Sequence, residues 1–180
     1  MATRVFSDEE LEGLRSSPAI GRDELICYFT LTPADGAFLR KFRRPVNVLG
    51  AAVQLSALPW LGCVPDDVPA APPAVVGRLA RQLGLAAGDL EGYGEREQSR
   101  TDHLKENADY LGWKQPKAIE HKEPADFLLA RAMEHDSPSL LFRLGYEYLR
   151  SAKVIRPGVV VLLEKVASAR TAAEQETHAR

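Results

Sequence analysis

Cys27 and Cys63 are the only two cysteines in this 180-residue chain, and they share no CxxC spacing. That excludes a disulfide framework and a cysteine-held zinc. Both read as buried free thiols in a reducing cytoplasm. No apolar run is long enough to span a bilayer, and the acidic, amphipathic first twenty residues are no secretory signal. GxSxG, a phosphate loop and HExxH are all missing, so a small helical enzyme has no supporting constellation and no cofactor is expected. The four histidines, His103, His121, His135 and His178, lie far apart without ligand-spaced partners, which argues against a metal. Asp66-Asp67 sits in a Pro-rich stretch whose ordinary setting is a solvated loop. The formal net charge of −2 excludes a uniformly basic coat for DNA.

The charge is uneven, however. Up to Asp35 the carboxylates outnumber the cations; then Arg40, Lys41, Arg43 and Arg44 arrive within five residues around Phe42. Asn47 follows in the first turn of the next helix, whose free N–H groups favour an anion. A local patch of this kind binds phosphate even on a mildly acidic protein. The bland alternative is a solvated turn that balances the acidic first helices.

The periodicity predicts helix after helix and no strand pairs, an all-α class. Ser7 and Glu10 form a capping box opening Asp8–Arg15. Asp23–Phe29 is a short apolar helix. Thr32 caps a helix from Pro33 to Lys41. Pro45 opens another to about Leu58, where Pro59 blocks continuation. Further helices are expected at about Glu95–Leu111, Pro124–His135, Ser139–Ala152 and Gly158–Ala173. Val159–Val161 has strand-like β-branching, but Leu162, Leu163 and Val166 continue at helical spacing.

Residues 76–95 carry helix-turn-helix spacing. Ala80 stands where a second helix approaches, and Gly84 where the turn needs positive φ. Leu79, Leu83, Leu85, Leu90 and Tyr93 occupy the apolar positions. Such pairs commonly read nucleic acid, although an αα-corner uses the same chemistry. The second helix, Gly88–Tyr93, would present Asp89 and Glu91 to phosphates, which costs affinity. Either the pair is scaffold or the contacts come from its neighbours. The neighbouring polar helix supplies Arg96, Gln98, Arg100, His103 and Lys105. Arg96, Arg100 and His103 share a face by i, i+4 and i, i+3 spacing. Asn47 and Gln98 suit adenine and Arg100 suits guanine; Glu97–Arg100 pairing is the plain alternative.

Five prolines within residues 59–73 suggest a division there. The expectation is a multi-helix bundle in two small subdomains: 1–63, a linker or loop at 64–73, 74–157 with the helix-turn-helix, and a C-terminal helix at 158–180. The first core would gather Leu11, Leu14, Leu25, Phe29, Phe38, Leu49, Val53 and Leu58. The second would gather Leu79, Leu83, Leu90, Leu104, Phe127, Leu141, Leu144 and Tyr148.

Several stretches together carry a family resemblance. Asp23–Thr32 reads DELICYFTLT. Arg40–Arg44 leads into Pro45, Asn47, Leu49-Gly50, Ala52 and Gln54-Leu55. Farther on come Ala80, Gln82-Leu83-Gly84-Leu85, Tyr93, Arg96, Gln98-Ser99-Arg100 and His103-Leu104, then Val154 and Pro157-Gly158. In this order and at these separations the chain resembles the N-terminal region of the large replicative transposases of the Tn-three family. The family often carries a cation where Val48 stands. The resemblance implies binding of double-stranded DNA at a transposon's terminal inverted repeats. It also implies that the DDE metal site for strand transfer lies in a part this chain lacks, so that the chain is a cut piece or a truncated gene product with no catalysis of its own. A second reading is a helical interaction module that pairs with itself or with a full-length transposase. Either way the expected location is the bacterial cytoplasm, with no membrane partner.

Overall fold

The computed structural model describes residues 5–15, 17–115 and 122–179. Among these residues the chain forms α-helices and short 3₁₀ turns, with a single isolated bridge between Lys114 and Val154. The all-α expectation holds. The helices are α1 (Asp8–Arg15), α2 (Arg22–Tyr28), α3 (Pro33–Leu39), α4 (Pro45–Leu61), α5 (Pro73–Leu83), α6 (Glu97–Leu111), α7 (Lys122–Glu134), α8 (Pro138–Ser151) and α9 (Val159–His178). His121 lies outside the described residues.

The local signals act as their chemistry dictates. Ser7 Oγ accepts from the Glu10 N–H at 3.1 Å, and Glu10 accepts from the Ser7 N–H at 2.7 Å. Thr32 and Asp35 form the same reciprocal pair at the start of α3. Gly84 closes α5 in the left-handed conformation (φ 69°), and the Leu85 N–H donates to the Ala80 carbonyl at 2.8 Å. Pro59 does not end α4, which continues to Leu61. Its fixed φ is helical, it stands in the last turn, and Trp60 beyond it is buried against Phe29 at a ring separation of 5.3 Å.

The chain divides into two compact units, but not at the Pro-rich stretch. One unit runs from Arg15 to Trp113 and is built around α4, whose residues Val48 to Leu58 are all buried. Val68 and Ala71, from the expected linker, lie in the same core as Leu49 and Leu79. The segment carries its own apolar side chains inward and so crosses the surface of one domain instead of joining two. Leu49, Leu58 and Leu79 are completely buried; each contributes about 1.5–3 kcal/mol by transfer from water.

The other unit joins residues up to Leu14 with those from Lys114 onward. Here α7, α8 and α9 pack on one another around Leu128, Leu141, Phe142, Leu149, Leu162 and Val166. Leu11 and Leu14, expected in the first core, belong to this one instead, with Phe6 set edge-on to Phe142 at 5.2 Å. Arg156 Nη2 holds the Leu14 carbonyl at 2.8 Å.

Two further expectations need correction. Cys27 is exposed and Cys63 half-buried, so neither thiol is a core residue. The second helix of the helix-turn-helix is only a 3₁₀ turn, Ala87–Leu90. Gly92 (φ 78°) and Gly94 (φ 84°) take the chain through left-handed turns that no α-helix tolerates. Leu90 and Tyr93 are buried as the spacing requires, but as part of a scaffold around α4.

Candidate nucleic-acid interface

The cations at 40–44 occupy a tight corner between α3 and α4. Arg40–Phe42 is a 3₁₀ turn. Arg43 follows with φ 66° and ψ −60°, and the Arg44 N–H reaches back to the Phe42 carbonyl at 2.8 Å. This is a γ-turn of the rare positive-φ kind. Arg44, which precedes proline, is extended and caps α4. The corner leaves Arg40, Arg43 and Arg44 exposed, and none is ion-paired among the described residues. Asn47 is half-buried one turn into α4. Val48, where the family often has a cation, is buried.

Lys41 behaves differently from its neighbours. Its ammonium lies 4.3 Å from the Phe38 ring centroid and 5.3 Å from that of Phe42, and it pairs with Glu106 of α6. Phe42 in turn meets the His103 ring at 4.5 Å. The structure therefore brings the basic corner and α6, two stretches far apart in sequence, against each other within one unit.

On α6 the expected face is redistributed. Arg96 lies outside the helix as its extended N-cap (φ −101°, ψ 106°), so the i, i+4 argument for Arg96 and Arg100 lapses. Arg96, Gln98 and Lys105 are exposed, with Gln98 Nε2 donating to Asp102 Oδ1 at 2.8 Å. Arg100 is half-buried and donates to the Asp66 carbonyl. It stands in a cleft of about 240 Å³ lined by Asp66, Asp67, Tyr93 and Glu97. Among the described residues, no group of three or more His, Cys, Asp or Glu side chains is placed to hold a metal.

His103 is not on the outer face at all. It is 8 % exposed, with Nδ1 2.9 Å from the Tyr93 hydroxyl. Burial pushes its pKa down, and Lys41 presses the same way against the opposing pull of Glu106 and Asp102. Burial also raises the Tyr93 phenol. Tyr93 thus remains protonated beside a neutral imidazole, and the two share one buried hydrogen bond. A neutral, enclosed ring is no phosphate ligand. Helical spacing places His103 near Arg100 but cannot say which side of α6 faces the core.

A buried polar link between α4 and α6 escaped the sequence reading. Gln54 and Asn107 are both fully buried. Asn107 Nδ2 donates to the Ala51 carbonyl at 3.1 Å and to Gln54 Oε1 at 3.2 Å; Gln54 Nε2 donates to the Arg100 carbonyl at 3.1 Å. The signal was visible in outline: a glutamine inside the largely apolar run of α4.

This unit is all-helical, with an exposed arginine corner braced on a polar helix. The chain belongs to the family described as "Domain of unknown function (DUF4158)", which matches residues 5–169. It is 31% identical over 159 residues to "Transposase for transposon Tn1546" of Enterococcus faecium, a match covering 87% of this chain and 16% of that protein. It is 34% identical over 176 residues to "Transposase for transposon Tn2501" of Escherichia coli, covering 96% of this chain and 17% of that protein. "Transposase for transposon gamma-delta" of Escherichia coli (strain K12) is 29% identical over 158 residues, covering 84% and 16%. The chain spans about a sixth of the length of these relatives. These matches support the resemblance read from the motifs, to an N-terminal region of transposases of this kind. No helix among the described residues is long and apolar enough to cross a membrane.

Proposed function

We propose that this chain is the end-binding region of a transposase, recognising double-stranded DNA at the terminal inverted repeats and performing no strand transfer itself. The observation that carries the reading is the exposed corner of Arg40, Arg43 and Arg44, in a chain whose transposase relatives match it nearly end to end. Phosphate contacts position a protein, whereas base edges and DNA shape give it sequence preference. The corner serves the first purpose. Gln98 and Arg100, with Asn47 at the start of α4, serve the second, flanked by Arg96 at the N-cap of α6 and Lys105 within it. His103 supports them from within, and Lys41 from the surface through Glu106.

The test is to select duplexes from a random pool with the chain, compare any enriched sequence with transposon ends, and titrate binding against salt. Three phosphate contacts correspond to a slope near −2.7, or about a 40-fold loss of affinity between 50 and 200 mM salt. Flat salt dependence, with no enriched sequence and self-association instead, would favour the protein-pairing module.

A further inference from the structure

We infer that Gln54 and Asn107 are positioning residues that fix the rotational setting of α6 and thereby determine which of its side chains can face a DNA base. The inference rests on the DNA-binding reading above. Its starting point is how little of α6 is apolar. Only His103, Asn107 and Ala108 of its fifteen residues are buried, and one of these is an amide. Apolar contact is non-directional, and so thin a strip constrains rotation about the helix axis weakly. A turn of one residue is about 100° and would exchange the exposed set for another.

Directional bonds restrict that freedom, those of His103 with Tyr93 and of Tyr110 with Asp35 on the flanks of the helix and those of Gln54 and Asn107 inside the core. Asn107 clasps the Ala51 carbonyl and Gln54 Oε1, and Gln54 clasps the Arg100 carbonyl, so α6 is pinned to α4 at two points seven residues apart. The upper point is the backbone of Arg100 itself, and the same residue's guanidinium is seated on the Asp66 carbonyl. Arg100 is thus fixed at both ends. Both amides are fully buried; Asn107 Oδ1 has no partner among the described residues as it stands, and turning α6 would strand both amide donors as well, which is costly. Single buried polar residues specify helix register in this way elsewhere.

The test compares the unaltered chain with two variants, Gln54→Met and the double variant Gln54→Leu/Asn107→Leu. The double variant removes both polar partners together and leaves an apolar contact. Binding is measured to a duplex selected by the unaltered chain and to a shuffled duplex of the same composition. The expected result is retained helicity and cooperative unfolding, unchanged affinity and salt slope on shuffled DNA, and at least a tenfold loss on the selected duplex. A folded variant that keeps its preference within twofold overturns the inference. Loss of folding in both variants also overturns it, because the pair would then be needed for the fold itself. If the unaltered chain prefers no duplex, the DNA-binding reading falls and takes this inference with it. If the unaltered chain discriminates and the variants do so equally well, only the inference falls.

Discussion

The ring of Tyr93 lies directly on Gly50. A Cβ placed on Gly50 would overlap three carbons of that ring, and both residues are buried. The glycine is there for space, since it lies inside helix α4. Tyr93 is what fills the gap, and its hydroxyl then reaches His103.

Gly50→Ala should therefore destabilise the protein, by about 1–3 kcal/mol or more for an overpacked core position. Gly77→Ala is the control. Gly77 is also helical, but nothing stands within 4 Å of its would-be Cβ, so alanine there should stabilise by roughly 0.5–1 kcal/mol. Urea unfolding of the two variants should move in opposite directions. Two similar shifts would mean that the Tyr93 ring yields.

Acidification should weaken the fold through His103. Its folded pKa lies below the usual value, chiefly from burial. The unfolded chain takes up the proton near pH 6.5, before the folded one does. The stabilising contribution of neutral His103 is therefore present above about pH 6.5 and is lost progressively as pH falls from there to the lower folded pKa. The urea midpoint of the native chain should drop more between pH 7.5 and 5.5 than that of His103→Gln. Equal drops would assign the pH dependence to other groups.

The four cations of the corner should separate into two kinds. Replacing Arg43 and Arg44 with alanine should weaken binding to all duplexes alike and flatten the salt slope by roughly one unit per lost contact. Lys41→Ala should leave that slope nearly unchanged, because the ammonium is already engaged by Glu106, Phe38 and Phe42. An unchanged slope in the arginine variant would place the corner outside the interface.

Arg100→Ala should cost about 1–3 kcal/mol on a selected duplex and much less on a shuffled one. Equal losses would make Arg100 a phosphate clamp. No loss on either would leave it with one task, holding the Asp66 carbonyl.

What could be read from the sequence was what neighbouring residues decide among themselves. The caps at Ser7 and Thr32, the opening of α4 at Pro45 and the left-handed stop at Gly84 are all local, and all occur as expected. The second helix after Gly84 failed because its apolar spacing was right while Gly92 within it and Gly94 just beyond it favoured left-handed turns. The division at residues 59–73 failed because proline content reports on helix breaking and not on which core a loop covers; Val68 and Ala71 settle that. The arginine corner was legible as a cluster. That Lys41 pairs with Glu106 and His103 is enclosed depends on the meeting of α6 with residues sixty positions earlier, which no local pattern encodes.

The unit containing Phe6, Leu11 and Leu14 draws the rest of its residues from Lys114 onward. On the ribosome those three side chains emerge before the Arg15–Trp113 unit and meet their partners only after it. The Arg15–Trp113 unit, by contrast, is continuous and has all of its residues before α7 is made. Synthesis thus imposes an order of assembly. The arginine corner and α6 take shape early, while the amphipathic first helix waits until α8 and α9 have been made. A nascent chain stalled before α8 should protect the central unit from protease and leave Asp8–Arg15 open to cleavage.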